Sequence, residues 1–260
     1  MKESIKKKTG VLKSTIIIIS LILALLVVAV LVKSCITYYR QGKTAGVQYL
    51  QDEPSKSIVE TDPSLIPDYS GKDVIELMGN VPCFTIYDQD HIEGERFSDL
   101  DSLGRCGMAT VKIDRSMMPT EKRGEIGSIK PSGWKQAKYP GIVDSEPPYL
   151  YNRSHLIAYA MTGQNANEKN LITGTRYFNA ELMLTYELKV LKYLDDSNNH
   201  VLYRVTPYFK DNELLARGVE MEAYSIEDNG KGVCFHVFCY NIQPGITIDY
   251  MTGESHVDEQ

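Results

Sequence analysis

YNRSHLIAYAMTGQNANEKNLITGTRYFN, residues 151–179, is the stretch whose reading decides the fold. It holds the triplet Arg153-Ser154-His155, then a turn rich in Asn and Gly, then two asparagines nine residues apart, Asn170 and Asn179. Asn, Gly and Ser are poor core formers and belong in turns and caps, where short polar groups bond to the backbone. This segment lies between two apolar-patterned ones. It offers one imidazole and several amide oxygens, which could serve a base near neutral pH beside a hard cation.

On its C-terminal side the pattern turns helical. Leu182, Met183, Tyr186, Val190, Leu191 and Leu194 recur at helical spacing, and the run DDSNN (195–199) stops the helix. Asn179 stands where an N-cap would stand for a helix beginning near Ala180. Glu187, eight residues on, lies about 80° around a regular α-helix and about 12 Å along it, so it shares a face with Asn179 loosely. Three strand-like runs follow at 200–209, 214–226 and 232–241, separated by turn residues, and ITIDY (246–250) reads as a short edge. On the N-terminal side, VPCFTIY (81–87) and GMATVKID (107–114) read as strands, and 115–148 reads as a long irregular segment punctuated by Gly and Pro. Together these elements predict an α+β domain: an antiparallel, hairpin-rich sheet with one long helix.

The other histidines have bland readings. His256 lies in a polar tail, His200 begins a strand, His91 sits in an acidic loop and His236 packs in a strand. None has a second His at metal-ligand spacing. His155 differs because it opens toward a Gly/Asn-rich turn, which makes it a candidate general base.

Charge and hydropathy divide the chain. Its net charge is −6, but residues 1–40 carry seven basic residues and one acid, leaving −12 for the remainder. A body this acidic argues against passive binding to nucleic acid, which depends on phosphate neutralisation. An enzyme that must release its product is less affected, provided that its groove is locally basic. Thr15–Val32, TIIIISLILALLVVAVLV, has no charge over 18 residues and follows five lysines. Such a segment spans about 27 Å as a helix, close to a bilayer core, and its cationic flank stays on the cytoplasmic side. The expectation is a basic tail (1–14), a single-pass anchor (15–35), a linker (36–68) and an extracellular domain (69–260). A cleaved signal peptide and a lipidated Cys35 are the rival readings. The first lacks an A-x-A-like site and the second has Lys33 two positions before the cysteine. Cys83, Cys106, Cys234 and Cys239 show no C-x-x-C spacing, so no zinc motif is legible. They read as buried free thiols, with Cys234 and Cys239 on opposite faces of a strand and so not paired with each other, while an outside location would permit a disulfide.

The run Asn152-Arg153-Ser154-His155 resembles the D-R-G-H motif of the DNA/RNA non-specific endonucleases, with Asn in place of the Asp and Ser in place of the Gly. The onward spacing to Asn170, Asn179 and Glu187 fits that family in register, and the sequence around KPSGW, LITGTRYFN, LYRVTPYF and LLARGVEMEAYS is similar to streptococcal secreted DNases and membrane-anchored DNA-entry nucleases. The similarity covers about residues 70–250. It implies a ββα-metal (His-Me) finger in which His155 is the general base, Asn179 the direct ligand of Mg2+ (Mn2+ being the alternative ion), Asn170 the supporting amide and Glu187 the acid holding metal-bound water. It implies an upstream arginine at the phosphate, for which Arg123 is the nearest match and Arg105 the alternative. Arg153 of the motif joins the catalytic set, and Arg105, Lys169 and Arg176 are the expected nucleic-acid contacts. The implied substrate is DNA, with RNA left open, cut with low sequence specificity to 5′-phosphate and 3′-hydroxyl ends. A degenerate finger retained as a surface binding module is the alternative that the two motif departures motivate. A stalked structural protein of the envelope would explain the anchor and linker, but not the grouped site residues.

Overall fold

A computed structural model describes residues 66–259. The expected basic tail and anchor, and all of the linker before Ile66, lie outside the described residues. Among the described residues no helix is long and apolar enough to cross a membrane.

Six strands form one antiparallel sheet: β1 (Val74–Glu76), β2 (Glu95–Phe97), β3 (Ala109–Ile113), β6 (Val201–Tyr208), β7 (Gly218–Ser225) and β8 (Cys234–Tyr240), in the spatial order β1-β8-β7-β6-β3-β2. A separate hairpin pairs β4 (Tyr151–His155) with β5 (Leu171–Thr175), setting His155 opposite Leu171 and Tyr151 opposite Thr175. A second small hairpin pairs β9 (Ile246–Ile248) with β10 (Ser255–Val257). The run at 246–250 therefore folds back on its own neighbour and does not extend the main sheet.

Alternation along the central strands sorts the core. Val201, Tyr203 and Val205 of β6, Val219, Met221 and Ala223 of β7, and Phe235, Val237 and Cys239 of β8 share one cluster with Phe178, Leu182, Met183, Val190 and Leu194. Each fully buried large apolar side chain contributes about 1.5–3 kcal/mol, so this face fixes the long helix on the sheet. The intervening residues face the back, where Phe238 and Tyr240 pack with Leu77, and Leu202 packs with Phe84 and Ile92. Both faces are thus covered, which is why the central strands are buried almost residue by residue. Ile66 packs against the back-face cluster and the Tyr240 hydroxyl donates to the Pro67 carbonyl, so the chain joins the domain slightly before the expected boundary at 69.

Two expected elements differ. The strand expected at 81–87 is absent. Thr85 and Asp88 form a capping box, with Thr85 Oγ1 accepting from Asp88 N at 3.1 Å and Thr85 N donating to Asp88 Oδ2 at 2.7 Å. This starts a short helix, α1 (Ile86–His91), so His91 ends a helix and is not in an open loop. Asn179 is not an N-cap either. Residues 176 and 177 are already helical, and Thr175 Oγ1 accepts the Phe178 amide at 3.0 Å. Asn179 lies inside a π turn, Phe178–Met183, that runs into α3 (Leu184–Asp196); a four-residue helix, α2 (Tyr159–Thr162), precedes it in the β4–β5 connection.

The four described cysteines are free thiols. Cys106 and Cys239 are buried, as expected, whereas Cys83 is half-buried and Cys234 exposed. In Cys106 and Cys239, burial raises the thiol, to about 12 for Cys106, so neither is a nucleophile at neutral pH.

Candidate active site

His155 is the last residue of β4, and both of its ring nitrogens have partners. Nε2 lies 2.9 Å from the Asn165 carbonyl oxygen, which can only accept, so Nε2 carries the proton. Nδ1 is then the lone-pair nitrogen, and Arg123 Nη2 lies 3.3 Å from it. Burial, more than the nearby Arg123 charge, depresses the imidazole to about 4. At neutral pH the ring is a free base with its basic atom directed at a guanidinium.

Asn170 holds the chain immediately after the histidine. It is fully buried; its Oδ1 accepts the Ile157 amide at 2.8 Å and its Nδ2 donates to the Ile157 carbonyl at 3.0 Å. Its own carbonyl accepts from Leu156 N at 2.9 Å. The side chain therefore works like a short strand partner, fixing where β4 ends and where the ring points.

Arg123 comes from the irregular segment. The Tyr159 hydroxyl, from α2, donates to the Glu121 carbonyl at 2.8 Å and ties that loop beside the site. Gly124 allows the close approach, because a Cβ there would stand 2.8 Å from Asn165 Nδ2.

Asn179 is half-buried and its amide makes no hydrogen bond to a described residue. The π turn improves its relation to Glu187. One extra residue is wound into that turn, so eight residues complete two turns much as seven do in a regular helix, and the angular offset shrinks from about 80° to about 20°. Glu187 is buried, and burial raises its carboxyl to about 8. An amide oxygen and a carboxyl group brought toward one helix face are donors that suit a hard, partly hydrated divalent cation.

The remaining candidates fall elsewhere. Arg153 Nε donates to the Ile129 carbonyl, Nη2 donates to the Gly127 carbonyl at 2.7 Å, and the guanidinium stacks 4.2 Å over the Trp134 ring. It fastens the 127–134 loop to β4. Arg105 pairs with Asp101 at 2.6 Å, donates to the Asp211 and Glu213 carbonyls and lies over Phe209. It is consumed in loop structure, which leaves Arg123 as the arginine beside the histidine. Lys169 pairs with exposed Asp99 at 2.6 Å. Arg176 is the first helical residue after Thr175 and is half-buried.

Some contributors escaped the sequence reading. Asn165 acts through its backbone carbonyl, which no side-chain motif reveals. Asn241 is fully buried at the end of β8; its Oδ1 accepts Thr175 N at 2.9 Å, and its Nδ2 donates to the Thr173 and Ala216 carbonyls at 3.0 Å. Gln243 Oε1 accepts Tyr177 N at 3.1 Å. These two amides dock the finger onto the main sheet. The signal was present: two amide side chains, two residues apart, at the point where an apolar strand ends.

The family model described as DNA/RNA non-specific endonuclease matches residues 85–227. Among solved structures, NucA from Streptococcus agalactiae with no metal bound is 26% identical, with a TM-score of 0.62 over 75% of this chain and 92% of that one. NucA with a magnesium ion bound is 26% identical, with a TM-score of 0.63 over 74% and 91%. Sda1 nuclease with a bound zinc ion is 28% identical, with a TM-score of 0.54 over 64% and 83%. The match spans more than half of the chain and contains the whole hairpin-and-helix site: this chain belongs to the DNA/RNA non-specific endonuclease family.

Proposed function

We propose that the protein is a membrane-anchored, outward-facing nuclease that hydrolyses phosphodiester bonds with His155 as general base and one divalent cation at Asn179. The observation that carries this reading is the contact of His155 Nε2 with the Asn165 carbonyl, which assigns the proton to Nε2 and leaves Nδ1 as the basic atom beside Arg123. A water between Nδ1 and a phosphate would lose its proton to the ring as it attacks phosphorus. Arg123 would hold a non-bridging oxygen by a charge-assisted hydrogen bond as negative charge builds there. Asn170 keeps the ring in place. The cation would be held by Asn179 with Glu187 behind its water shell, and when bound it supplies charge neutralisation at the phosphate and the leaving oxygen. Magnesium in NucA and zinc in Sda1 support a divalent ion here; oxygen donors favour Mg2+, with Mn2+ as the substitute. The products would carry 5′-phosphate and 3′-hydroxyl ends.

Anchoring rests on Thr15–Val32 and the lysines before it. Protease added to intact cells should degrade the domain, and full protection would overturn the outward placement. The enzymatic test is incubation of the purified full-length chain with plasmid DNA in Mg2+ and then in EDTA, beside His155→Ala, with a parallel RNA substrate. Chelator-sensitive degradation that the variant lacks is expected. DNA retardation without degradation, by a protein shown to be folded, would favour the binding-module reading, which Asn152 and Ser154 in the motif motivate.

A further inference from the structure

The back face of the main sheet, away from His155, holds a second group of metal-ligating side chains. Arg204 on β6, Glu222 on β7 and His236 on β8 are paired neighbours across three strands. Covering them is the segment before α1, which brings Cys83. Cys83 Sγ lies 3.8 Å from His236 Nδ1, and Nδ1 lies 3.8 Å from Glu222 Oε1; the three ligand atoms lie within 4.8 Å of one another. The Val81 carbonyl oxygen is 2.9 Å from the same Nδ1.

We propose that Cys83, Glu222 and His236 form a structural zinc site, with the Val81 carbonyl as fourth donor. Tetrahedral zinc with bonds of about 2.0–2.3 Å sets its ligand atoms roughly 3.3–3.8 Å apart, so the two 3.8 Å spacings at His236 Nδ1 fit to within a few tenths of an ångström, and a side-chain adjustment of about 1 Å brings Cys83 Sγ and Glu222 Oε1 together. The surrounding groups suit this role. Glu220 Oε1 bonds His236 Nε2, the carboxylate–histidine contact that orients a metal-bound imidazole. Arg204 Nε donates to Glu222 Oε2 at 2.6 Å, while Oε1 accepts the Cys83 backbone amide at 2.6 Å and keeps a second lone pair for an ion. Thiolate and imidazole donors select zinc over magnesium, which separates this site from the oxygen donors at Asn179.

Charge balance explains how a buried site could work in both states. Without metal, His236 has an acceptor at each ring nitrogen, Val81 O and Glu220, and so is held as an imidazolium. Arg204 and His236 then offset Glu220 and Glu222, with Cys83 a neutral thiol. Binding Zn2+ forms Zn–N, Zn–S and Zn–O bonds and breaks the Nδ1–H and S–H bonds, releasing two protons to solvent past half-buried Cys83. Two protons leave as one dication enters, so the net charge of the pocket does not change and no unpaired buried charge is created. The bound ion would rivet residues 81–83 to the centre of the sheet. Cys83 lies more than 130 positions before Glu222 and His236, so spacing rules cannot reveal the site.

The test uses Co2+ as a spectroscopic stand-in for zinc on the metal-stripped full-length chain. A sulfur-to-cobalt charge-transfer band with one-to-one stoichiometry is expected in the wild type, in Cys234→Ser and in Asn179→Ala. It should vanish in Cys83→Ser and in His236→Asn. Zinc should raise the melting temperature of the wild type and leave that of Cys83→Ser unmoved. No thiolate band in the folded wild type, or a band that survives in folded Cys83→Ser, would overturn the proposal. If His236→Asn fails to fold, the serine variant alone decides.

Discussion

His155 Nε2 bonds the Asn165 carbonyl at 2.9 Å, and this contact makes the opposite nitrogen the basic one. Because burial has already lowered the imidazole to about 4, the base is available across the neutral range. Cleavage should hold a plateau on the acid side of neutrality and fail only as pH approaches about 4. His155→Ala should lose roughly 10²–10⁴-fold in kcat. The linkage to stability has a definite sign. The folded value lies below the unfolded 6.5, so the unfolded chain binds the proton first as pH falls. Stability is untouched above about 6.5 and declines below it, by up to about 3 kcal/mol once pH passes 4. Denaturant titrations of wild type and His155→Ala at several pH values check this; the variant should be less acid-sensitive.

Asn170 should behave as a positioning residue. Asn170→Ala strands the Ile157 amide and carbonyl in a dry site, at a cost of about 1–3 kcal/mol, and frees the end of β4. Asn170→Asp keeps the acceptor for Ile157 N but sets a buried carboxylate oxygen against Ile157 O, so it should cost at least as much stability as alanine at neutral pH. For both, kcat should drop with KM nearly unchanged, because substrate contacts stay in place while the ring loses its aim. Steady-state kinetics beside denaturant unfolding separates these effects; a pure KM defect would contradict the assignment.

The Ser154 departure from the family motif has a local structural counterpart. Its hydroxyl is buried with no hydrogen-bond partner. It fits because β5 has no side chain at Gly174, where a Cβ would stand 2.2 Å from Ser154 Oγ and 2.7 Å from the Phe178 ring. Ser154→Ala removes the orphan oxygen and should raise stability by about 1 kcal/mol with activity retained. Gly174→Ala should destabilise the hairpin through overpacking, by about 1–3 kcal/mol. Thermal melts of the two single variants check the pair.

The layout of the sheet and the long helix was legible because period-two and helical patterns survive in 201–208, 218–225 and 184–196. The resemblance to the family motif picked out His155, Asn170, Asn179 and Glu187 as candidates, and the structure places the first two on the β4–β5 hairpin and the other two along one helical run. What escaped depended on contacts that spacing does not encode. The strand expected at 81–87 lost to a Thr85–Asp88 capping box, a local hydrogen-bond pair that overrides an apolar run. Arg105 and Arg153 carry charges that tertiary structure spends on loop carbonyls. Asn241 and Gln243 act across more than 60 residues, and a single sequence gives no register between such distant segments.

The helix start separates structural from metal roles. As an N-cap, Asn179 would cost about 1 kcal/mol on truncation. The cap is instead Thr175, whose Oγ1 accepts Phe178 N at 3.0 Å and donates to the Ile242 carbonyl at 2.6 Å. Asn179→Ala should therefore leave metal-free stability within about 0.5 kcal/mol of wild type, as a half-buried substitution without broken bonds does. Thr175→Val should cost about 1–2 kcal/mol, since it removes the cap and orphans Ile242 O. The activity tests point the other way. Asn179→Ala should demand far more Mg2+ for half-maximal cleavage or lose turnover, while Thr175→Val should keep its Mg2+ titration midpoint. Denaturant unfolding in EDTA, set beside Mg2+ titrations of plasmid cleavage, reads both axes. An unchanged Mg2+ midpoint in Asn179→Ala would remove that residue as the ion's ligand and shift attention to Glu187.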